Sequence, residues 1–192
     1  MRAKESQINE IGYADTLSDL SMPHGEIISK SSVIGRVDGK NVHHYQQGSS
    51  DVYFFETSNN IDAIVLLDGA SIKGIKNYSG IPGLATALVG FIVHDRKITI
   101  EINHDEPLTT EGFKWLVKLL TNKRNKFTIT DQTGNFPDVS TLEKEWIENK
   151  NNDTAGETTI YISENNLTTA KLKEGARLLM HTTIWVGNRD LV

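Results

Sequence analysis

The pattern of apolar and polar positions changes period several times along this chain, and each change marks an element. Residues 71–76 (SIKGIK) set Ile72 and Ile75 among polar and small residues and read as a strand. A run of turn formers follows, Asn77-Tyr78-Ser79-Gly80-Ile81-Pro82-Gly83. From Leu84 the spacing becomes helical: Leu84, Leu88 and Phe91 fall on one stripe with Ala85, Val89 and Ile92 beside it, so the helix buries a broad face. After His94-Asp95-Arg96 the period returns to two, with Ile98, Ile100 and Ile102 alternating with Thr99, Glu101 and Asn103. Strand, turn, helix and strand succeed one another without filler, a β-turn-α-β unit.

Upstream the pattern multiplies strands. Residues 33–37, the turn Asp38-Gly39 and residues 42–45 predict a hairpin. Residues 51–57 (DVYFFET), the turn Ser58-Asn59-Asn60 and residues 61–67 (IDAIVLL) predict a second, with Asp68-Gly69 turning into the central unit. Downstream, Pro107 and Thr109 precede a helix whose stripe is Phe113, Leu116, Val117 and Leu120, with Lys114 and Lys118 facing away. Residues 127–131 alternate as a strand, and Ser140-x-x-Glu143 carries a capping-box signature opening a helix through Trp146. Residues 149–156 read as a loop, 158–163 as a strand, 170–179 as a short helix and 182–186 as a last strand. Residues 1–38 have weak periodicity, with one helical turn near Tyr13 to Leu20, and read as a partly extended arm outside the core. The expected fold is α/β (α+β in detail), a mixed central sheet with an N-terminal meander on one side. Its parts are an arm at 1–38, a core at 39–148 and a C-terminal region at 149–192 in the same domain.

Composition narrows the chemistry. A chain of 192 residues supports one substantial core. No apolar run approaches the length that crosses a bilayer, and the polar N-terminus is followed by no apolar signal region, so no membrane partner and a cytoplasmic location are expected. The absence of cysteine excludes disulfides, thiolate metal sites and cysteine nucleophiles. A net charge of -5 makes nucleic acid an unlikely partner. The aromatic run Tyr53-Phe54-Phe55 lies between Asp51 and Glu56, the wrong charge for a phosphate track, so it is assigned to core packing. His43 and His44 are adjacent on a strand and point to opposite faces, one expected buried and one exposed, so no metal is assigned to them.

The turn before the central helix carries the candidate chemistry. A glycine-bearing loop that opens a helix offers backbone N–H groups and the positive end of the helix dipole to an anion, a pyrophosphate included. The order Gly-x-x-x-x-Gly-Lys-Ser/Thr is absent, as is Gly-x-Gly-x-x-Gly, which removes the P-loop and dinucleotide readings. Gly80-Ile81-Pro82-Gly83-Leu84-Ala85 resembles the acetyl-CoA pyrophosphate loop of the GNAT-type N-acetyltransferases, Gln/Arg-x-x-Gly-x-Gly/Ala: Gly83 and Ala85 match, Gly80 does not. The order of elements over residues 41–131, roughly half the chain, is similar to that superfamily. The segments Thr109-Thr110-Glu111-Gly112-Phe113 and residues 127–131 followed by Gln132-Thr133-Gly134 look like the short divergent acetyltransferase-like proteins of tailed phages.

The resemblance implies that Gly80, Ile81, Gly83, Leu84, Ala85 and Thr86 bind acetyl-CoA or a related acyl-CoA as co-substrate. It implies an amine acceptor, small molecule or protein, and a base near the strand after the helix, for which Glu101 and His104 are placed; Tyr78 is the candidate acid for the leaving thiolate. The superfamily often carries a tyrosine on its second helix, where this chain has Phe113 and Trp115. The alternative is a non-enzymatic binding protein on the same fold, a phage structural or host-takeover protein whose partner is a second copy, a virion component or a host protein.

Overall fold

The computed structural model describes residues 9–11, 23–102, 110–122, 126–152 and 158–164, the first three by backbone alone. In chain order the elements are β1 (Asn9–Ile11), α1 (His24–Lys30), β2 (Ser32–Val37), β3 (Lys40–Gln47), β4 (Ser50–Thr57), β5 (Asn60–Asp68), β6 (Ser71–Asn77), α2 (Leu84–His94), β7 (Ile100–Ile102), α3 (Thr110–Thr121), β8 (Phe127–Asp131), α4 (Val139–Asn152) and β9 (Ile160–Glu164). One mixed sheet runs β2-β3-β4-β5-β6-β7-β9-β8, with β1 added to β6. The class is α/β. Strands β2 to β6 form an antiparallel meander, β6 and β7 are parallel across α2, and β9 lies antiparallel between β7 and β8. The hairpin turn between β2 and β3 puts both Asp38 and Gly39 at positive φ (49° and 79°), the geometry that matches strand twist in a two-residue loop.

The two faces of the sheet are covered unequally. The larger core joins α2 (Leu88, Val89, Phe91, Ile92), α3 (Phe113, Leu116) and Leu142 of α4 to the inward residues of β4 to β9. Tyr53 and Phe55 point into this core, while Phe54 between them points to the other face, so the aromatic run packs both layers. The smaller core sets Ile27 of α1 on Val52, Phe54, Ile64 and Leu66.

Bulges reconcile sequence spacing with these faces. Ile72 and Ile75, three apart, would lie on opposite sides of a regular strand. Both face α2, because Leu66 pairs with Gly74 and Leu67 with Ile72, which leaves Lys73 as an extra residue. Such an insertion bends the strand and increases its twist. A second bulge lies opposite Phe55 and Glu56, which pair with Ala63 and Ile61 and leave Asp62 as the extra residue. Asp62 accepts hydrogen bonds at Oδ2 from Lys40 Nζ (2.9 Å) and Thr57 Oγ1 (2.7 Å).

Three expectations change. Within the stretch read as an arm, residues 24–30 are helix α1, and Ile27 is wholly buried; seven residues with two adjacent isoleucines are too few to display a period. The expected capping box at Ser140 is displaced, since α4 begins at Val139. Asp138 Oδ2 instead accepts from Ser140 Oγ (2.6 Å), Thr141 Oγ1 (2.7 Å) and Thr141 N–H (3.1 Å). Residues 149–152, read as loop, continue α4. The helical turn near Tyr13 and the segments at 170–179 and 182–186 lie outside the described residues. Among the described residues no helix is long and apolar enough to cross a membrane.

Two outcomes are expected. A Cβ on Gly35 would lie 2.4 Å from the Phe91 ring, so Gly35→Ala should cost about 1–3 kcal/mol in a denaturant titration, against no loss for Gly25→Ala, which meets nothing within 4 Å. An unchanged midpoint for Gly35→Ala would show that Phe91 moves freely. The hydrogen bonds from Ser140 and Thr141 lower the Asp138 carboxyl from 3.8 to about 2. Because the folded value lies below the unfolded one, the cap's contribution is full above the unfolded pKa and lost as pH falls through about 2. Asp138→Ala should therefore lower the melting temperature at neutral pH and flatten its acid dependence in that window.

Candidate functional site

The loop after β6 is held by its own hydrogen bonds. The amides of Tyr78 and Ser79 both donate to the carbonyl of the bulged Asp62 (2.8 and 3.0 Å). Asn77, 4 % exposed, donates from Nδ2 to the Ile81 carbonyl (2.7 Å). Its Oδ1 accepts from Ser79 Oγ (3.0 Å), which in turn accepts from the Ile81 amide (3.1 Å). This closed circuit fixes the exposed tip, Gly80-Ile81-Pro82-Gly83. Gly80 and Gly83 sit at φ 71° and 88°, and a Cβ on either would meet nothing within 4 Å, so backbone conformation rather than crowding requires glycine.

Gly83 is the N-cap of α2, and its carbonyl accepts the Ala87 amide at 2.8 Å. The amides of the turn before Ala87 have no intrahelical acceptor, and the positive end of the helix dipole adds to their field. Ala85 is buried in the main core, Leu84 and Thr86 are half-buried, and Thr86 Oγ1 accepts from Trp115 Nε1 of α3 (3.1 Å). The tip, Gly80 to Gly83, is the exposed part of this turn.

Glu101 lies at the other end of β6. The parallel pair β6 and β7 sets Ser71 opposite Glu101, with the Glu101 amide donating to the Ala70 carbonyl at 2.9 Å. Among the described residues, Ser71 opposite Glu101 is the step at which β7 pairs with β6. The same edge of β6 carries β1 at Ile75, Lys76 and Asn77. From Ser71 to Asn77 the strand advances by about 20 Å. Glu101 and the loop thus stand at opposite ends of β6. Glu101 is half-buried on the face away from Ile100 and Ile102.

Compared with models of known protein families, with curated proteins and with solved structures, the chain matches none.

The remaining candidates are dispersed. Tyr78, at the loop end, packs on the α1 side of the sheet, its ring edge-on to His24 (centroids 5.4 Å) and under Lys76 Nζ (5.2 Å). Burial, and then the Lys76 charge, lower the His24 pKa. Tyr78 and Glu101 are therefore not brought together, and His104 lies outside the described residues.

Tyr161 of β9 is directly opposite Glu101 and half-buried. In an antiparallel pair, partners in register share a face with Cβ atoms about 5 Å apart. Sequence reading missed Tyr161 because the pairing joins segments from distant parts of the chain; only the alternation in IYISE marks its face. Asn77 was missed as well, read as a turn former rather than as the buried brace of the loop.

His43 and His44 do point to opposite faces, but neither is fully exposed. His44 Nε2 donates to Asp51 Oδ1 (2.7 Å), and His43 stacks on Phe54 with Nδ1 3.1 Å from Ser31 Oγ. Among the described residues no group of three or more potential ligands is placed to hold a metal ion.

Asn77→Ala should cost about 1–3 kcal/mol, the range for stripping a partner from buried polar groups, and should speed amide exchange at Ile81 and Gly83. Unchanged exchange at those amides would mean that the backbone alone shapes the loop.

Proposed function

We propose that the chain is an acyl-CoA-dependent acyltransferase of GNAT type that acylates an amine. One observation carries the reading: a glycine loop at a helix N-terminus and a half-buried carboxylate, Glu101, stand at the two ends of β6, the strand from which the helix leaves and beside which parallel β7 returns. The pantetheine arm of acyl-CoA has the backbone length of about five residues, roughly 17 Å extended. It carries two amides and so can lie along the β6 edge as an added strand does, in the place that β1 takes at Ile75 to Asn77. With pyrophosphate on the first-turn amides of α2 at Gly83, the thioester reaches the level of Ser71 and Glu101.

In this reading Gly80, Ile81 and Gly83 present the loop, and Leu84, Ala85 and Thr86 supply helix amides. Glu101 takes the proton released by the amine as the N–C bond forms. Tyr161 gives its proton to sulfur as the C–S bond breaks, and recovers one from Glu101 or water. Tyr78, on the α1 side near the phosphate end, is too far from the thioester for that role, so the acid assigned to it from the sequence passes to Tyr161.

A second reading, a non-catalytic binding protein on the same frame, is favoured by two residues. Gly80 stands where the superfamily's loop has Gln or Arg, and Trp115 on α3 is engaged with Thr86 where a tyrosine would donate. Acetyl-CoA that binds but is never turned over would select it.

Calorimetry should detect acetyl-CoA binding and a loss of about tenfold or more in Gly83→Val, since a branched side chain disfavours the left-handed φ and crowds the phosphate site. Gly48→Val, at an exposed hairpin turn with φ 61°, controls for stability and should bind normally. Glu101→Gln should cut thiol release on the order of a hundredfold with little change in affinity, and Tyr161→Phe should cut it less. Equal binding by wild type and folded Gly83→Val would remove the loop from the site.

A further inference from the structure

Ser31, His43 and Glu56 form a line of polar side chains at the C-terminal end of α1. Ser31 is the C-cap of α1, and its Oγ donates its one proton to the Ile28 carbonyl (2.8 Å). The same oxygen lies 3.1 Å from His43 Nδ1 and is left only to accept, so Nδ1 carries the hydrogen. In the neutral ring Nε2 then has a bare lone pair. That atom is buried, has no hydrogen-bond partner among the described residues, and faces Glu56 Oε2 at 3.8 Å. An ionised carboxylate has no hydrogen to give, and Glu56 Oε1 already accepts the Asn59 amide (2.6 Å). Phe54 stacks on the imidazole (5.1 Å), and the His43 side chain is only 12 % exposed, so little water reaches the gap. An acceptor thus opposes an acceptor, and the line lacks one proton.

We infer that His43 is a proton-binding site that clamps α1 to the sheet. A proton taken from water at Nε2 turns the imidazole into an imidazolium, which donates to Ser31 from one nitrogen and to Glu56 from the other. The hydrogen bonds then run without a break from the Ile28 carbonyl through Ser31 and His43 to Glu56 of β4. The carbonyl end of α1 favours a cation beside it and disfavours an oxyanion, so the line is not a serine nucleophile with its base. Among the described residues, Glu56 is the charged group within ion-pair reach of His43. On the elements around it, Glu26 pairs with Lys30 of α1 (2.7 Å) and Lys40 of β3 with Asp62 of β5 (2.9 Å). Arg36 of β2 donates to the Gly39 carbonyl, Tyr45 lies two residues along β3, and Val33 of β2 is opposite His43. At its other end α1 rests on the root of the loop after β6, where His24 is edge-on to Tyr78 (5.4 Å). The clamp therefore bears on that loop, and its physical basis is independent of the acyl-CoA reading.

The test uses the full chain. At about pH 9, above the ordinary histidine range, a nitrogen-detected NMR spectrum should show hydrogen on His43 Nδ1. Hydrogen on Nε2 with none on Nδ1 would overturn the inference. Amide exchange at Ile27, Ile28 and Ser31, corrected for its intrinsic pH dependence, reads the docking of α1. A contact made only by the charged ring adds stability below the histidine range and none above it. From about pH 8 to about pH 5, protection in the wild type should therefore gain about fivefold over Glu56→Ala, the size of a partly exposed ion pair. His24 charges in the same range but is common to both proteins, so the difference isolates His43. Glu56→Gln is the sharper variant. Its carbonyl keeps the Asn59 amide while its NH2 donates to the bare Nε2, so the neutral ring is satisfied without a proton. That variant should hold α1 above the histidine range as firmly as the wild type does below it, and should gain no more on acidification than Glu56→Ala. Parallel pH profiles for the wild type, Glu56→Ala and Glu56→Gln would overturn the clamp.

Discussion

Everything in this molecule leans on the burial of α2 against the sheet. Leu88, Val89, Phe91, Ile92 and Val93 are all withdrawn from water, each contributing roughly 1.5–3 kcal/mol. Together that is comparable to the whole net stability of a domain, 5–15 kcal/mol. The helix spans from β2, where Gly35 makes room for the Phe91 ring, to β9, so it fastens the meander to the later strands. It also sets the direction of β7: a helix returning over the sheet brings the next strand back parallel to the one it left. The loop at its N-terminus and the position of Glu101 both follow from where α2 must lie.

The asymmetry of the two faces follows from the same helix. With α2, α3 and α4 gathered into one core, the opposite face carries, among the described residues, the short α1, which covers the meander strands β3 to β5. Glu101 and Tyr161 lie on that opposite face, beyond the residues that α1 covers. Polar side chains occupy it there, with Thr130 beside Tyr161 in register. A half-buried carboxylate and phenol are tolerable at that place because the helical layer is on the other side.

Much of this was legible in the sequence, for a specific reason. Helices α2 and α3 and strands β7 and β8 bury one face, and burial of one face writes a period into the chain, while β4 and β5 bury both faces and were legible as runs of β-formers between turn residues. The hairpin turns were legible because Asp38-Gly39 needs residues that accept positive φ. What was hidden belongs to pairing between distant segments. No local pattern announces that Tyr161 will lie opposite Glu101, or that β1 will lie on β6. Bulges are hidden for the same reason: Ile72 and Ile75 disagree in phase, and only the register against Leu66 and Leu67 shows which residue is the extra one. The cap of α4 was misplaced by two residues because Asp138, Ser140 and Thr141 are all capping types, and their mutual hydrogen bonds decide among them. The loop was legible as a glycine turn, but its brace was not, since Asn77 acts from within the strand.

The bulge at Lys73 has a consequence for chain length. Removing one residue from a strand ordinarily reverses the side on which every later residue lies, and the core is turned outward. At Lys73 the arithmetic runs the other way. A chain lacking that residue keeps Ile72 and Ile75 facing α2 and Gly74 facing away, in strict alternation. What it loses is the bend. A straightened β6 would run flatter beneath α2 and give up the extra twist that the bulge imparts. One residue of surplus length thus sets the course of a strand, and deletion at that point alters that course without unmaking the core.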